Sequence, residues 1–146
     1  MLAIGRSRIL ALLVALAVTN LGASGWGARH RNGIYINLKQ HRLYEYHHGK
    51  LKGRFRISSG TGRPSKKAKH TQTPRGNFRV LRKKPGWVKS PLGKLYYPLY
   101  FDRGGDAIHG GSVSRAKSSH GCIHIPLKAA KPFYKRNPAG TRVYIR

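Results

Sequence analysis

The strongest constraint on this chain is a period of two. From Ile34 onward, apolar residues alternate with polar ones in short stretches, and each stretch ends at a cluster of turn-forming residues. Ile34, Ile36 and Leu38 fall on one side of an extended segment, with Tyr35 and Asn37 on the other. Side chains along a strand alternate between faces, so this spacing predicts a strand with one face buried. The same reading predicts strands over 42–46, 53–58, 76–81, 95–101 and 142–145, with a short apolar segment, Ala107-Ile108, running into His109. Gln40 and His41 place a hairpin between the first two strands, and His48-Gly49-Lys50 makes the next turn. Pro98 marks a break or an edge position, because proline has no N–H for a neighbouring strand. Residues 59–75 and 83–93 carry many Gly, Pro and Lys residues and read as loops. Only 127–136 reads as a helix. Pro126 suits its first turn, whereas Pro132 is expected to kink or split it. The expected fold is mostly β, one domain, with one late helix.

The residues ahead of Ile34 follow a different pattern. Arg6 and Arg8 precede an unbroken apolar run from Ile9 to Val18, and the small residues Gly22, Ala23, Ser24 and Gly25 follow. That order predicts a secretory signal peptide over 1–24 and a flexible lead-in over 25–33, leaving 34–146 as the folded domain. The apolar run is shorter than the roughly 20 residues a membrane-spanning helix needs, so no stable span is expected after cleavage. An uncleaved anchor is the alternative. Leu21-Gly22-Ala23-Ser24 resembles a lipoprotein signal without its acceptor cysteine, so no lipid is expected. The predicted destination is outside the cytoplasm, in the periplasm or cell wall.

Charge narrows the partners. The chain has 30 Lys and Arg against three acids, Glu45, Asp102 and Asp106, for a formal charge of +27. Such a surface attracts polyanions. In an intracellular protein nucleic acid would come first. Export redirects the expectation to anionic cell-wall polymers, acidic sugars or anionic lipid, with no specific nucleic acid; a surface adapted to an acidic medium explains the charge equally well. Three acids make a paired-carboxylate glycosidase or a carboxylate-rich Mg²⁺ or Ca²⁺ site hard to assemble. No His-x-x-x-His pair with a nearby acid and no second Cys is present, so neither metal nor cofactor is expected.

Chemistry centres on the only cysteine, in Ser119-His120-Gly121-Cys122-Ile123, with a second His-Gly pair, His109-Gly110, upstream. An unpaired cysteine in an exported chain has no crosslink to make within that chain. A cysteine nucleophile needs thiolate character, which a nearby imidazolium supplies, and that imidazole can later protonate a leaving amine. His109 and His120 are the candidates. Glycines at 110 and 121 allow sharp turns and close approach of substrate. Amides around Gly121 and Cys122 suit an oxyanion hole, and Ser118 or Ser119 can orient an imidazole. With no acid in the segment, a backbone carbonyl fits the third role as well as a side chain. The bland alternative is an inert cysteine on a strand.

Ile108-His109-Gly110 followed by Ser119-His120-Gly121-Cys122-Ile123 resembles the signature of the YkuD-type L,D-transpeptidases. Ser59-Gly60-Thr61-Gly62, Thr73-Pro74-Arg75-Gly76-Asn77-Phe78 and Gly140-Thr141 with Val143-Tyr144-Ile145 resemble further family segments in the same order. The resemblance covers about residues 34–146. It implies a β-sandwich or barrel-like domain with a helix against it, acting on peptidoglycan stem peptides. It implies that Cys122 attacks the carbonyl before the terminal D-Ala, that His109 is base and acid, oriented by the Gly110 carbonyl, and that His120, Gly121, Cys122 and Ser119 shape the oxyanion site. It also implies that a carbapenem acylates Cys122. One departure is His124, where the family usually has Arg; Arg clamps a carboxylate permanently, whereas His offers a single titrating contact. Substrate binding falls to His124 and Tyr97. An L,D-carboxypeptidase or other amide hydrolase of the same fold and a non-catalytic basic wall-binding protein are the alternatives.

Overall fold

The computed structural model describes residues 32–63, 65–67, 70–113 and 119–146. The expected signal peptide, most of the lead-in, Ser118 and part of the 66–69 lysine run lie outside them.

Two five-stranded sheets share one core. The first runs in the order β3 (Lys50–Arg56), β2 (Arg42–His47), β1 (Gly33–Asn37), β10 (Arg142–Ile145) and β4 (Gly76–Arg79). The second orders β5 (Arg82–Lys83), β7 (Gly93–Tyr100), β8 (Ala107–Gly111) and β9 (Ile123–Pro126), with β6 (Trp87–Ser90) also paired to β7. Most pairs are antiparallel; β1–β10 and β8–β9 are parallel. The period-two residues meet between the sheets: Ile34, Ile36, Val143 and Ile145 from the first, Leu99, Ile108, Ile123 and Ile125 from the second, all essentially without solvent contact. Removing such surface from water is the main term holding the domain together. On the outer side of β1, Tyr35 stacks on Tyr144 with ring centroids 4.7 Å apart.

The helix α1 (Leu127–Arg136) packs across β7 and β8 and buries Ala130 and Phe133. It stays one element across Pro132, contrary to the expected kink or split. Proline removes one i→i−4 bond, that to the Lys128 carbonyl, and both residues lie on the exposed face where water can replace it.

Two further expectations change. The 83–93 segment is not all loop: β6 pairs Trp87 with Tyr96, Val88 with Leu95 and Lys89 with Lys94, forming a hairpin with β7. Its composition hid the strand because Pro85, Gly86, Pro91 and Gly93 bracket only four residues. Pro98 sits inside β7, at a register shift between Tyr96 and Leu99 where Tyr97 takes a positive φ of 51°. The bulge absorbs the missing N–H. The long 59–75 segment, in turn, is tied down by β-bridges of Ser58 to His124 and Gly60 to Ser119.

Candidate active site

The parallel β8–β9 pair sets the site. Its register places Ile108 beside Ile123 and His109 beside His124, so Cys122 enters β9 next to the start of β8. His109, His120, Cys122 and His124 all line one open cleft of about 870 Å³, walled on the far side by the β6–β7 hairpin.

His109 is 4 % exposed. Its Nδ1 lies 3.0 Å from the Gly110 carbonyl, which can only accept, so Nδ1 carries the proton and Nε2 the lone pair. Nε2 is buried and has no hydrogen-bond partner among the described residues. Burial, then the nearby His124, push the His109 pKa down to about 4, with the Gly110 carbonyl pulling the other way. The His124 ring stands 4.6 Å away, its Nδ1 donating to the Ser112 carbonyl at 3.0 Å, and burial lowers its pKa too. Both imidazoles are therefore neutral at neutral pH.

Cys122 packs against Leu95, Tyr100 and Ala107. Burial, opposed by a backbone hydrogen bond from Ala107 and aided by the charges of Asp106 and Asp102, pushes its thiol up to about 11. The resting pair is thus thiol and neutral imidazole, not the thiolate–imidazolium pair that the histidine-flanked sequence suggests. A nucleophilic role for this thiol therefore requires that proton transfer accompany attack.

The loop that carries Cys122 is tightly braced. Ser119 Oγ donates to the Cys122 carbonyl at 2.5 Å and accepts the Gly121 N–H at 3.2 Å. The Ser119 N–H donates to the Ser59 carbonyl, and the Thr61 N–H to the Ser119 carbonyl. Thr73 Oγ1 donates to the Gly121 carbonyl and accepts the Gly60 N–H, both at 2.8 Å. Gly121 has φ +127°, and a Cβ there would lie 2.3 Å from Asp106 Oδ1. Only glycine fits both the backbone and that carboxylate. At Gly110 a Cβ would lie 2.7 Å from that of Ala130, so this glycine lets α1 close over β8.

Behind Gly121 sits a cluster that the sequence reading missed. Asp106 Oδ2 lies 2.9 Å from His70 Nε2, and the Asp106 N–H donates to Asp102 Oδ1 at 2.8 Å. Burial raises the Asp106 pKa; His70 opposes this and Asp102 adds to it. The three side chains offer ligand atoms within 4.8 Å of one another, the geometry a metal ion needs, and their mutual hydrogen bonds already account for it. The position of Asp106, just ahead of Ala107-Ile108-His109, was the available signal. Thr73 was visible only through its motif.

Among the expected site residues, Ser119, His120, Cys122, His109, Gly110 and His124 line the cleft, and Gly121 supports its floor from behind. Tyr97 does not join them. The bulge before Pro98 turns its ring to Tyr96 and Tyr134, with centroids 4.8 and 5.1 Å away, on the helix side of β7. A one-residue shift exchanges the faces of a strand, and the β7 aromatic that reaches the cleft is Tyr100.

A half-buried cysteine and a histidine with an unpartnered ring nitrogen, lining one cleft of a two-sheet β domain, are the residue set that cysteine–histidine acyl transfer needs. The family profile described as the YkuD L,D-transpeptidase catalytic domain matches residues 31–145, and the chain belongs to that family. The fold is similar to an L,D-transpeptidase from Xylanimonas cellulosilytica, with a TM-score of 0.72 and 32 % identity over 82 % of this chain and 63 % of that one. It is also similar to the Enterococcus faecium L,D-transpeptidase (TM-score 0.66, 23 % identity, 80 % and 50 % covered). A third likeness is to one from Mycobacterium smegmatis (TM-score 0.65, 21 % identity, 80 % and 58 % covered). The chain thus spans half to under two thirds of the length of these structures. A search of curated proteins gave no match.

Proposed function

We propose that this protein is an exported L,D-transpeptidase that works through a Cys122 acyl-enzyme on peptidoglycan stem peptides. The observation that carries the proposal is the His109–Cys122 arrangement: both side chains open into one cleft from adjacent parallel strands, and Gly110 holds His109 with its Nε2 lone pair unpartnered. Membership of the L,D-transpeptidase catalytic-domain family supplies the substrate class.

Because the resting thiol and imidazole are both neutral, the first step couples two events. The Cys122 proton passes to His109 Nε2 as Sγ bonds to the carbonyl carbon that precedes the terminal D-Ala. The resulting oxyanion is met by the amide of Cys122; the Gly121 amide is already given to Ser119, whose hydroxyl holds the turn in shape. Collapse breaks the C–N bond, and the D-Ala amine leaves with the proton from His109, giving a thioester. An acceptor amine then gives its proton to Nε2 as it attacks, and the thiol recovers that proton on leaving. Water as acceptor turns the same enzyme into an L,D-carboxypeptidase. The N-terminal run from Arg6 to Gly25 supports export, and the basic surface supports retention on anionic wall polymers. Among the described residues no helix is long and apolar enough to cross a membrane.

The test uses defined tetrapeptide muropeptides, with products followed by mass spectrometry and Cys122→Ala as control. Cross-linked dimers are expected. Tripeptide alone assigns the carboxypeptidase reaction, and no Cys122-dependent product overturns the enzyme reading in favour of a wall-binding protein.

A further inference from the structure

Each sheet buries one face in the shared core and leaves the other outside. The outer face of the second sheet carries the cleft, where His109 and His124 alternate with the core residues Ile108 and Ile123. The outer face of the first sheet has no part in that chemistry. Among the described residues no element packs over it, and Arg54, Arg56, Arg79 and Arg142 are exposed there.

The register fixes what this face carries. Ile34, Ile36, Leu43, Val143 and Ile145 point into the core, so the residues that alternate with them point out. A row of tyrosines crosses the middle: Tyr44 on β2, Tyr35 on β1 and Tyr144 on β10 are direct neighbours. Tyr35 stacks on Tyr144 and meets Tyr46 edge-on at 5.6 Å, and the Arg54 guanidinium stands 5.8 Å from the Tyr44 ring centre. Two cross-strand pairs of arginines flank the row at opposite corners, Arg42 with Arg56 and Arg142 with Arg79. Every charged side chain that the register places on this face is an arginine. Like charges directly opposite each other destabilise a ladder, and among the described residues no side-chain carboxylate offsets either pair. Glu45 points inward to Arg136. Asp102 shares a shallow depression of about 660 Å³ with Arg79 and Arg142, but it accepts the Asp106 amide.

This layout selects among polyanions. With strands about 4.8 Å apart and about 3.3 Å per residue, the two arginine pairs lie about 20 Å from each other on the diagonal. A polymer charged at every unit would call for cations along the middle, where the tyrosines stand. An oligonucleotide would call for open ring faces under its bases, but Tyr35 is stacked on Tyr144 and only 8 % exposed. The fit is to a polymer whose carboxylates are separated by uncharged rings. Arginine grips a carboxylate with a rigid two-pronged fork, and tyrosine offers an apolar floor with a polar tip.

We propose that this face is a second binding site, for a peptidoglycan strand whose stem-peptide carboxylates sit on the two arginine pairs and whose sugar rings cross the tyrosine row. The inference rests on the peptidoglycan reading above and adds where the polymer is held. The held strand lies on the side of the domain away from Cys122, so it does not compete with the strand that reacts.

Sedimentation of the Cys122→Ala protein with purified sacculi tests this, using two charge-matched double variants. Arg56→Gln with Arg142→Gln opens both pairs. Lys89→Gln with Lys94→Gln removes the same charge from the β6–β7 hairpin of the second sheet. Sacculus affinity at low salt is expected to fall about tenfold in the arginine variant and to stay within about twofold in the lysine variant. The thermal midpoint of the arginine variant should not fall, because each substitution removes a like-charge pair. Without those substitutions, the protein should bind sacculi whose carboxylates have been converted to carboxamides about tenfold more weakly than untreated sacculi. Equal losses in the two double variants reduce the site to net charge and overturn the proposal, as does undiminished binding to the amidated sacculi. Tighter binding through the same arginines to a single-stranded oligonucleotide or to anionic lipid vesicles overturns it as well. Binding needs no turnover, so a failure of catalysis on muropeptides overturns the transpeptidase reading and leaves this test standing.

Discussion

Glu45 and Asp106 are both buried carboxylates, and the domain treats them in opposite ways. Glu45 on β2 has no solvent contact. Arg136 grips both its oxygens, at 2.9 and 2.7 Å, while Asn137 and His47 donate to Oε1 at 2.8 and 2.9 Å. Burial alone would raise its pKa, and these donors more than reverse that, so the net shift is down. Asp106, behind the Gly121–Cys122 turn, has one side-chain donor, the exposed His70, and a second acid beside it; its net shift is up. The first cluster ties α1 to the opposite sheet and meets its carboxylate with four donor atoms. The second leaves charge under tension next to Cys122. Buried charge thus serves as a fastener at one end of the domain and as a tuning element at the other.

The sharpest way to break this contrast is to remove the chemistry and keep the scaffold. Cys122→Ala should lower kcat/KM by about a thousandfold or more with an unchanged melting temperature, and His109→Gln by about 10²- to 10⁴-fold, the usual worth of a general acid–base. A comparable loss of stability in either variant would mean the two regions are not separable.

Glu45→Gln should do the reverse. Leaving Arg136 without its carboxylate should cost about 3 kcal/mol, read by denaturant unfolding, with activity per folded molecule retained. Its pH dependence has a definite sign. The folded pKa lies below the ordinary carboxylate value of 4.5, so the Glu45 contribution is complete above that value and is lost as the pH falls through the folded pKa. Asp106 has the opposite sign and should gain, not lose, in the same acid range.

His109 gives the next effect. Its folded pKa of about 4 lies below the usual 6.5, so stability should fall by about 3 kcal/mol as the pH drops from 6.5 to 4 and level off below, as the unfolded chain takes up a proton the folded one refuses. His109→Gln should flatten that part of the stability profile.

The smallest effect concerns the thiol. Iodoacetamide alkylation of the resting protein should climb with pH toward an apparent pKa of about 11. Asp106→Asn removes a charge that holds the thiol up, so alkylation at a fixed neutral pH should speed up a few-fold, less than the tenfold that a full pKa unit represents. An unchanged rate would detach Asp106 from the Cys122 thiol.

The fold was legible where alternation was clean. Ile34, Ile36, Val143 and Ile145 declared their strands, and these strands form the core. It was not legible where a turn former sat inside a strand: β6 is bracketed by prolines and glycines, and Pro98 reverses the phase of β7 so that Tyr97 and the cleft part company. The cysteine and the two His-Gly pairs were legible as residues because their types are rare and adjacent. Their protonation states were not, because desolvation depends on Leu95, Tyr100 and Ala107, which are distant or unremarkable in sequence. His70 and Asp106 come together across a stretch of chain that no local pattern spans.

The pairing of β1 with β10 has a consequence for the order of assembly. The first strand of the domain takes its inner partner from the last one, and β10 is also the strand that joins β4 to the rest of that sheet. The first sheet therefore cannot be completed while Arg142–Ile145 is still unmade, and this long-range closure is the slow kind. Holding back that closure keeps the preceding strands threadable for longer, a property that fits the export proposed above.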